Sequence, residues 1–442
     1  MRRTRSIVTV DLERIRPAVS LTKLVFASAL LLIACDVSFA AFSIGDPDKI
    51  VPSDGQSMDW FGGSLAIDGD RLVVGSQWHH GGGIGRGAAY VYKKNSTQWA
   101  LQDILTASDA QSAGNFGNAV AIQGSTIVVG DYQHSLVSPS GSIRSAGAAY
   151  VFQETAVGWT ETAKLVASDA AVDNQFGNAV AVHGNTAIVG GGSAAYVFES
   201  IEGTWHQQEK LLPSFADGFG LGGGFGNNIA LESGFALVAA SSQDAGSTNS
   251  GAVFAFTKKA AGWEETDILL PSSPLFRGSF GASIDVSGNT AIIGRPHGVP
   301  STPLHPGAAY IFERNGDEWV QTALLQASDK VSGDFFGSEV AISGDFAAVA
   351  KLGTVYVFHR SNGVWAEIDK LTSGFPSDSD QFGVALAFDQ QHLAVGARLD
   401  DQIGSDVGAA YIFTVPEPSV ILLSGIGFIA VPRRRRQRLC LL

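Results

Sequence analysis

The chain has 442 residues, 45% of them hydrophobic and 16% charged, with 53 Gly and 2 Cys, a balance too apolar for a disordered coil and without the three-residue glycine period of collagen. The formal charge is -13. Residues 1–40 carry 6 basic and 3 acidic side chains and residues 416–442 carry 5 basic and 1 acidic, which leaves 18 basic against 38 acidic between them. A body that acidic repels phosphate backbones, so no nucleic-acid partner is expected. Both cysteines, Cys35 and Cys440, lie outside it, so neither a disulfide nor a thiolate metal site staples it.

The N-terminal 1–40 read as a secretory signal peptide. Arg2, Arg3, Arg5, Arg14 and Arg16 precede an apolar run from Leu24 to Ala34, and Ser38-Phe39-Ala40 offers small residues for cleavage. Export by the Sec machinery is the expectation. Leu32-Ile33-Ala34-Cys35 also resembles a lipobox, which leaves lipidation at Cys35 as the alternative to cleavage near Ala40.

Residues 41–414 repeat one pattern seven times. Phe-Gly pairs stand at 61–62, 116–117, 176–177, 225–226, 280–281, 336–337 and 382–383. Each opens a short apolar stretch, a tight turn, a second apolar stretch, a variable loop and Gly-Ala-Ala-Tyr-Val-Phe or a variant. A Trp follows in six copies, at Trp99, Trp159, Trp205, Trp263, Trp319 and Trp365, and begins a further stretch. Four short strands per copy at a period of about 50 residues predict an all-β, seven-bladed propeller of four-stranded blades. The seventh copy ends at Phe413 without its Trp strand, while Asp48 to Asp54 matches the end of an outer strand. Residues near 42–52 are therefore expected to complete the last blade and cover its open edge.

These copies resemble the FG-GAP repeat family, best known from the propeller of integrin alpha subunits. That resemblance implies calcium loops of the form Asp-x-Asp-x-Asp-Gly, but the corresponding turns here are short, as at Asp68-Gly69-Asp70 and Gln123-Gly124-Ser125. A turn of that size cannot place six to eight oxygens round one ion, so no metal or other cofactor is expected.

At the C-terminus, residues 415–442 hold Pro416-Glu417-Pro418, an apolar run, and Arg433, Arg434, Arg435 and Arg436. This order resembles the PEP-CTERM sorting signal of Gram-negative bacteria that make extracellular polysaccharide. It implies an exosortase-type processing enzyme as partner, a transmembrane segment before processing, and a place at the cell surface or in the extracellular matrix. An ordinary C-terminal anchor is the alternative.

Propeller topology puts the loops after the second strands on one face. Those at 76–86, 131–146, 241–250, 295–306 and 397–407 are long, and those of the third and sixth copies are nearly absent. A groove across this face is expected to bind, because variable loops on a rigid scaffold commonly do. Its candidate ligand residues are Trp78, His79, His80, Tyr132, His134, His297 and Arg398, with Trp78 favoured because an exposed indole can stack on a sugar ring. Scattered loop histidines are otherwise expected to be solvated. Ser-Asp pairs at 53–54, 108–109, 168–169, 328–329 and 377–378 are expected to form side-chain-to-backbone turns. No nucleophile triad, metalloprotease motif or phosphate loop stands out. The expectation is a monomeric, noncatalytic binding or adhesion protein for an exopolysaccharide or a surface protein, with a propeller-fold hydrolase or lyase acting on extracellular polysaccharide as the alternative.

Overall fold

The computed structural model describes residues 44–80, 85–112, 114–139, 141–214, 222–296, 305–351, 353–374 and 380–416. Residues 1–40 and the sorting motif from Glu417 onward, with Arg433 to Arg436, lie outside the described residues, as does His297. Phe42–Val420 forms one compact unit. Among the described residues no helix is long and apolar enough to cross a membrane.

Seven antiparallel four-stranded sheets follow one another along the chain. The first runs Phe61–Asp68, Arg71–Ser76, Ala88–Lys94 and Trp99–Leu105; the second runs Val120–Gln123, Thr126–Asp131, Ala148–Thr155 and Gly158–Leu165. Blades three to six repeat that order, from Ala179–His183 to Val364–Leu371. The long loop of blade two carries a small hairpin of its own, Leu136–Ser138 with Gly141–Ile143. In the first six blades the pairing of third and outer strands shifts register once, just before the Tyr or Phe that ends the apolar run, as between Val151 and Phe152.

The seventh blade closes the ring as expected. Phe382–Phe388, His392–Ala397 and Ala409–Thr414 take Asp48–Ile50 as their fourth strand, with Asp48 opposite Ile412 and Ile50 opposite Ala410. The mimicry extends one turn further than the sequence comparison suggested. Ile44 stands six residues before Ile50, as Trp159 stands six before Leu165, and it fills the tryptophan's place at 7% exposure. Its amide donates to Asp369 Oδ2 of blade six at 2.6 Å. The Trp159, Trp263 and Trp319 amides reach Asp103, Glu209 and Asp267 of their preceding blades at 3.1, 2.8 and 2.6 Å. Trp205 and Trp365 are the less buried outer-strand tryptophans, and the blades before them have Ala163 and Ala323 at the acidic position.

The Phe-Gly pair earns its recurrence at the seam between blades. Phe176 packs edge-on to Tyr196 and Phe198 of its own blade, with ring centroids 5.4 and 5.9 Å apart, and is fully buried against Val151 and Leu165 of the preceding one. Its amide donates to Ala146 O at 3.1 Å, and its backbone bridges Gly147 in parallel. A Cβ on Gly147 would lie 1.9 Å from Phe176 O, and Gly147 has a φ of +85°. Only glycine fits there. The same approach recurs between Gly87 and Phe116, Gly251 and Phe280, Gly307 and Phe336, and Gly408 and Phe61.

The inner strands surround a narrow central cavity of about 220 Å³, lined by Ser64, Asn118, Asn178, Asn227, Asn228 and Glu339 among others. Two of its amides are spent on the backbone, Asn118 Nδ2 donating to Gly177 O at 3.2 Å and Asn228 Nδ2 to Ala282 O at 2.9 Å, while Asn178 Nδ2 donates to Asn227 Oδ1 at 3.4 Å. Burial pushes Glu339 up to about 8, against the opposing hydrogen bond from Ser283 Oγ at 2.9 Å. Water still reaches part of the side chain. A carboxyl raised in the folded state favours folding below its ordinary value of 4.5 and loses that contribution as pH rises towards about 8. The thermal midpoint of Glu339→Gln is therefore expected to fall less between those limits than that of the unsubstituted protein; parallel pH profiles would contradict it.

Candidate functional site

The second-to-third-strand loops and the loops entering each blade share one face. In blade one, His79 is 5% exposed and its Nδ1 lies 3.2 Å from Asp59 Oδ2 and 3.1 Å from Tyr90 Oη. His80 Nδ1 lies 2.7 Å from Asp59 Oδ1, and the amide of Gln56 donates to Asp59 Oδ2 at 2.8 Å. Asp59 is fully buried. Burial alone would raise its pKa, but these hydrogen bonds outweigh it and hold the carboxyl below its ordinary range.

Blade two repeats the device. Tyr150 Oη donates to Asp109 Oδ1 at 2.7 Å and Lys164 Nζ to Asp109 Oδ2 at 2.6 Å, while His134, 1% exposed, lies 3.2 Å from Tyr150 Oη. Burial, then the hydrogen bond to Asp109, drives the Tyr150 phenol far above its usual pKa. In blade three Lys210 Nζ donates to Asp169 Oδ2 at 2.6 Å, and in blade six Tyr356 and Lys370 both donate to Asp329. Asp400 takes this part in blade seven, accepting from Tyr411 Oη and Lys49 Nζ, each at 2.7 Å.

The Ser-Asp pairs at 53–54, 108–109, 168–169 and 328–329 do sit in tight turns, but their side chains reach other strands as well, and the pair at 377–378 lies outside the described residues. Their carboxylates at 54, 109 and 329 accept the tyrosine hydroxyl of a blade. The serines reach the next blade's outer strand, as where Ser108 donates its amide and hydroxyl to Glu161 at 2.9 and 2.8 Å. His79 and His134 belong to the same framework and are not solvated loop residues. His80 and Tyr132 are half-buried and His305 is exposed. Asp131 and His134 lie 3.5 Å apart in blade two, and His79 pairs with Asp54 and Asp59 in blade one. Among the described residues no group of three or more His, Cys, Asp or Glu is placed to hold a metal.

Two candidates do come together with a residue the sequence did not single out. Of 8 tryptophans, six begin outer strands, and the remaining two, Trp60 and Trp78, meet on this face with centroids 5.7 Å apart and planes at 66°. Arg398 from blade seven stacks its guanidinium 5.1 Å from the Trp60 ring centroid, and its Nε donates to Gln381 Oε1 at 2.6 Å. All three are half-buried. Trp60 and Gln381 occupy the position before Phe-Gly, where φ is +56° and +53°; Gln175, Ser279 and Phe335 share that conformation, so it belongs to the repeat. The signal that could have exposed Trp60 is simple: it is a tryptophan outside the repeated place.

A larger cleft of about 700 Å³ opens on the opposite face, where blade seven meets blade one. It is lined by Asp68, Asp70, Lys94, Asp389, His392 and Thr414, among others. Its cause is topological: blade seven has no hairpin between third and outer strands, because its outer strand comes from the N-terminal segment. Lys94 Nζ lies 2.9 Å from His392 Nε2 at its edge.

A closed ring of seven such blades, with its glycines at the seams and its variable loops on one side, defines a β-propeller. The chain belongs to the FG-GAP repeat family, whose profile matches residues 45–92, 99–152, 159–198, 319–358 and 365–413. The unmatched stretch includes blade four, where Phe254 replaces the tyrosine of the other blades. No curated protein matches the chain.

Proposed function

We propose that this is an exported, surface-tethered propeller that binds a glycan on its variable-loop face without catalysis. One observation carries the reading: the two tryptophans that the repeat does not require pack together beside Arg398, on loops from two different blades. Half-exposed aromatic rings in a fixed orientation suit the apolar faces of sugars. The secretory signal in residues 1–40 and the PEP-CTERM-like segment in 415–442 support export through the Sec machinery, handling by an exosortase-type enzyme, and retention at the cell surface.

The ring's own exits support the orientation. Val415 donates its amide to Gln391 O at 2.8 Å, beside the first turn of blade seven, and Ile44 precedes the closing strand Asp48–Ile50 at the same end. Both exits lie on the face opposite the variable loops. A tether there leaves the tryptophans directed outward.

A glycan array probed with residues 44–416 tests the reading. Binding is expected, and Trp78→Ala should weaken it about tenfold, from the loss of roughly 1.5 kcal/mol of stacking. Absence of binding to every glycan, or full binding by Trp78→Ala, would reject it.

A further inference from the structure

We infer that the site formed by Trp60, Trp78 and Arg398 selects a carboxylated sugar, the arginine taking the carboxylate while the indoles take the ring. This rests on the glycan reading above and adds the ligand's charge. On this face Arg295 also stacks on a ring, 5.5 Å from the Tyr310 centroid, whereas four lysines are paired with acids. Lys164, Lys210 and Lys370 each donate to an aspartate, and Lys351 lies 3.3 Å from Asp334.

Arg398 differs from them. Its Nε goes to a neutral amide, Gln381 Oε1, and its plane is held on Trp60. Burial lowers its pKa. Three acids of the neighbouring loops are engaged elsewhere: Asp59 by His79, His80 and Gln56, Asp54 by Tyr90, and Asp400 by Tyr411 and Lys49.

Among the described residues Arg398 thus has no carboxylate partner, and it stands beside an aromatic pair. With Nε anchored, the two terminal nitrogens of the guanidinium keep the fork geometry that accepts a carboxylate through two parallel hydrogen bonds. The packing on Trp60 fixes the plane before any ligand arrives, so little order is lost on binding. Repulsion from the surrounding acidic surface favours a single carboxylate on a sugar ring over a dense polyanion such as phosphate chains.

Isothermal titration of residues 44–416 with an oligouronate and with its carboxyl-reduced counterpart tests this. The unsubstituted protein should bind the uronate roughly tenfold or more tightly than the reduced form. Arg398→Gln should bind the two alike, Arg398→Lys should keep a smaller preference, and Trp78→Ala should weaken both while preserving their ratio. An unchanged thermal midpoint for Arg398→Lys confirms that the ring is intact. Equal binding of the two sugars by the unsubstituted protein, or a preference that survives Arg398→Gln, overturns the inference and leaves the glycan reading standing. Binding of neither sugar overturns both.

Discussion

Removal of residues 44–52 is expected to cost the ring most or all of its stability. The last blade would be left with three strands, and Ala409–Thr414, buried along all but its final residue, would become an open apolar edge. Ile44 and Ile50, 7% and 9% exposed, would be lost from the core, at about 2–5 kcal/mol each if each counts as an aliphatic truncation to alanine. Lys49 would leave Asp400, which is 1% exposed, without its cation. The sum is of the order of a domain's whole net stability, about 5–15 kcal/mol. A shortened protein should therefore aggregate or melt far below the intact one, and a peptide spanning 42–54 supplied in trans should restore part of the difference. A shortened protein that melts where the intact one does would show that the ring does not depend on this strand.

Substitution of Gly147 by alanine should be among the most damaging added methyls in the described residues. The new Cβ would sit 1.9 Å from Phe176 O and 2.4 Å from Phe176 N, so blade three must move off blade two. The positive φ adds about 1–2 kcal/mol of its own, and the total should exceed about 4 kcal/mol. Gly124→Ala is the matched comparison: its φ is +54°, but nothing lies within 4 Å of the added carbon. It should cost only the backbone term. Chemical denaturation of the two variants measures the difference, and similar losses would mean that the blades are not held at the spacing described.

These effects explain why so much of the architecture was legible in the sequence. Each Phe-Gly marks a close backbone approach and stands in all seven copies, so its count is the blade count, whereas the Gly-Ala-Ala start varies and Ser193 takes the glycine's place in blade three. Closure was legible because the missing Trp strand of the seventh copy and the stray outer-strand segment at Asp48 complement each other. The substitution of Ile44 for a tryptophan was not, since an isoleucine there carries no motif.

The site was only partly legible. Trp78 and Arg398 could be nominated from loop length and residue type, but their meeting depends on ring closure bringing blade seven against blade one. Trp60 was hidden beside the Phe-Gly signal. His79 and His134 looked like surface loop residues because sequence spacing does not reveal that they tuck under their own blades onto Tyr90 and Tyr150. Nor did the sequence suggest the opposite-face cleft, which arises from a hairpin that the closing blade lacks.

Hydrogen–deuterium exchange with a bound oligouronate measures directly which face of the ring takes the ligand. Protection is expected around residues 58–61, 76–80 and 397–400, with the turns at 68–70 and 389–392 unchanged. Protection confined to those turns, on the side where the chain ends leave the ring, would place the ligand in the seam cleft and contradict that expectation.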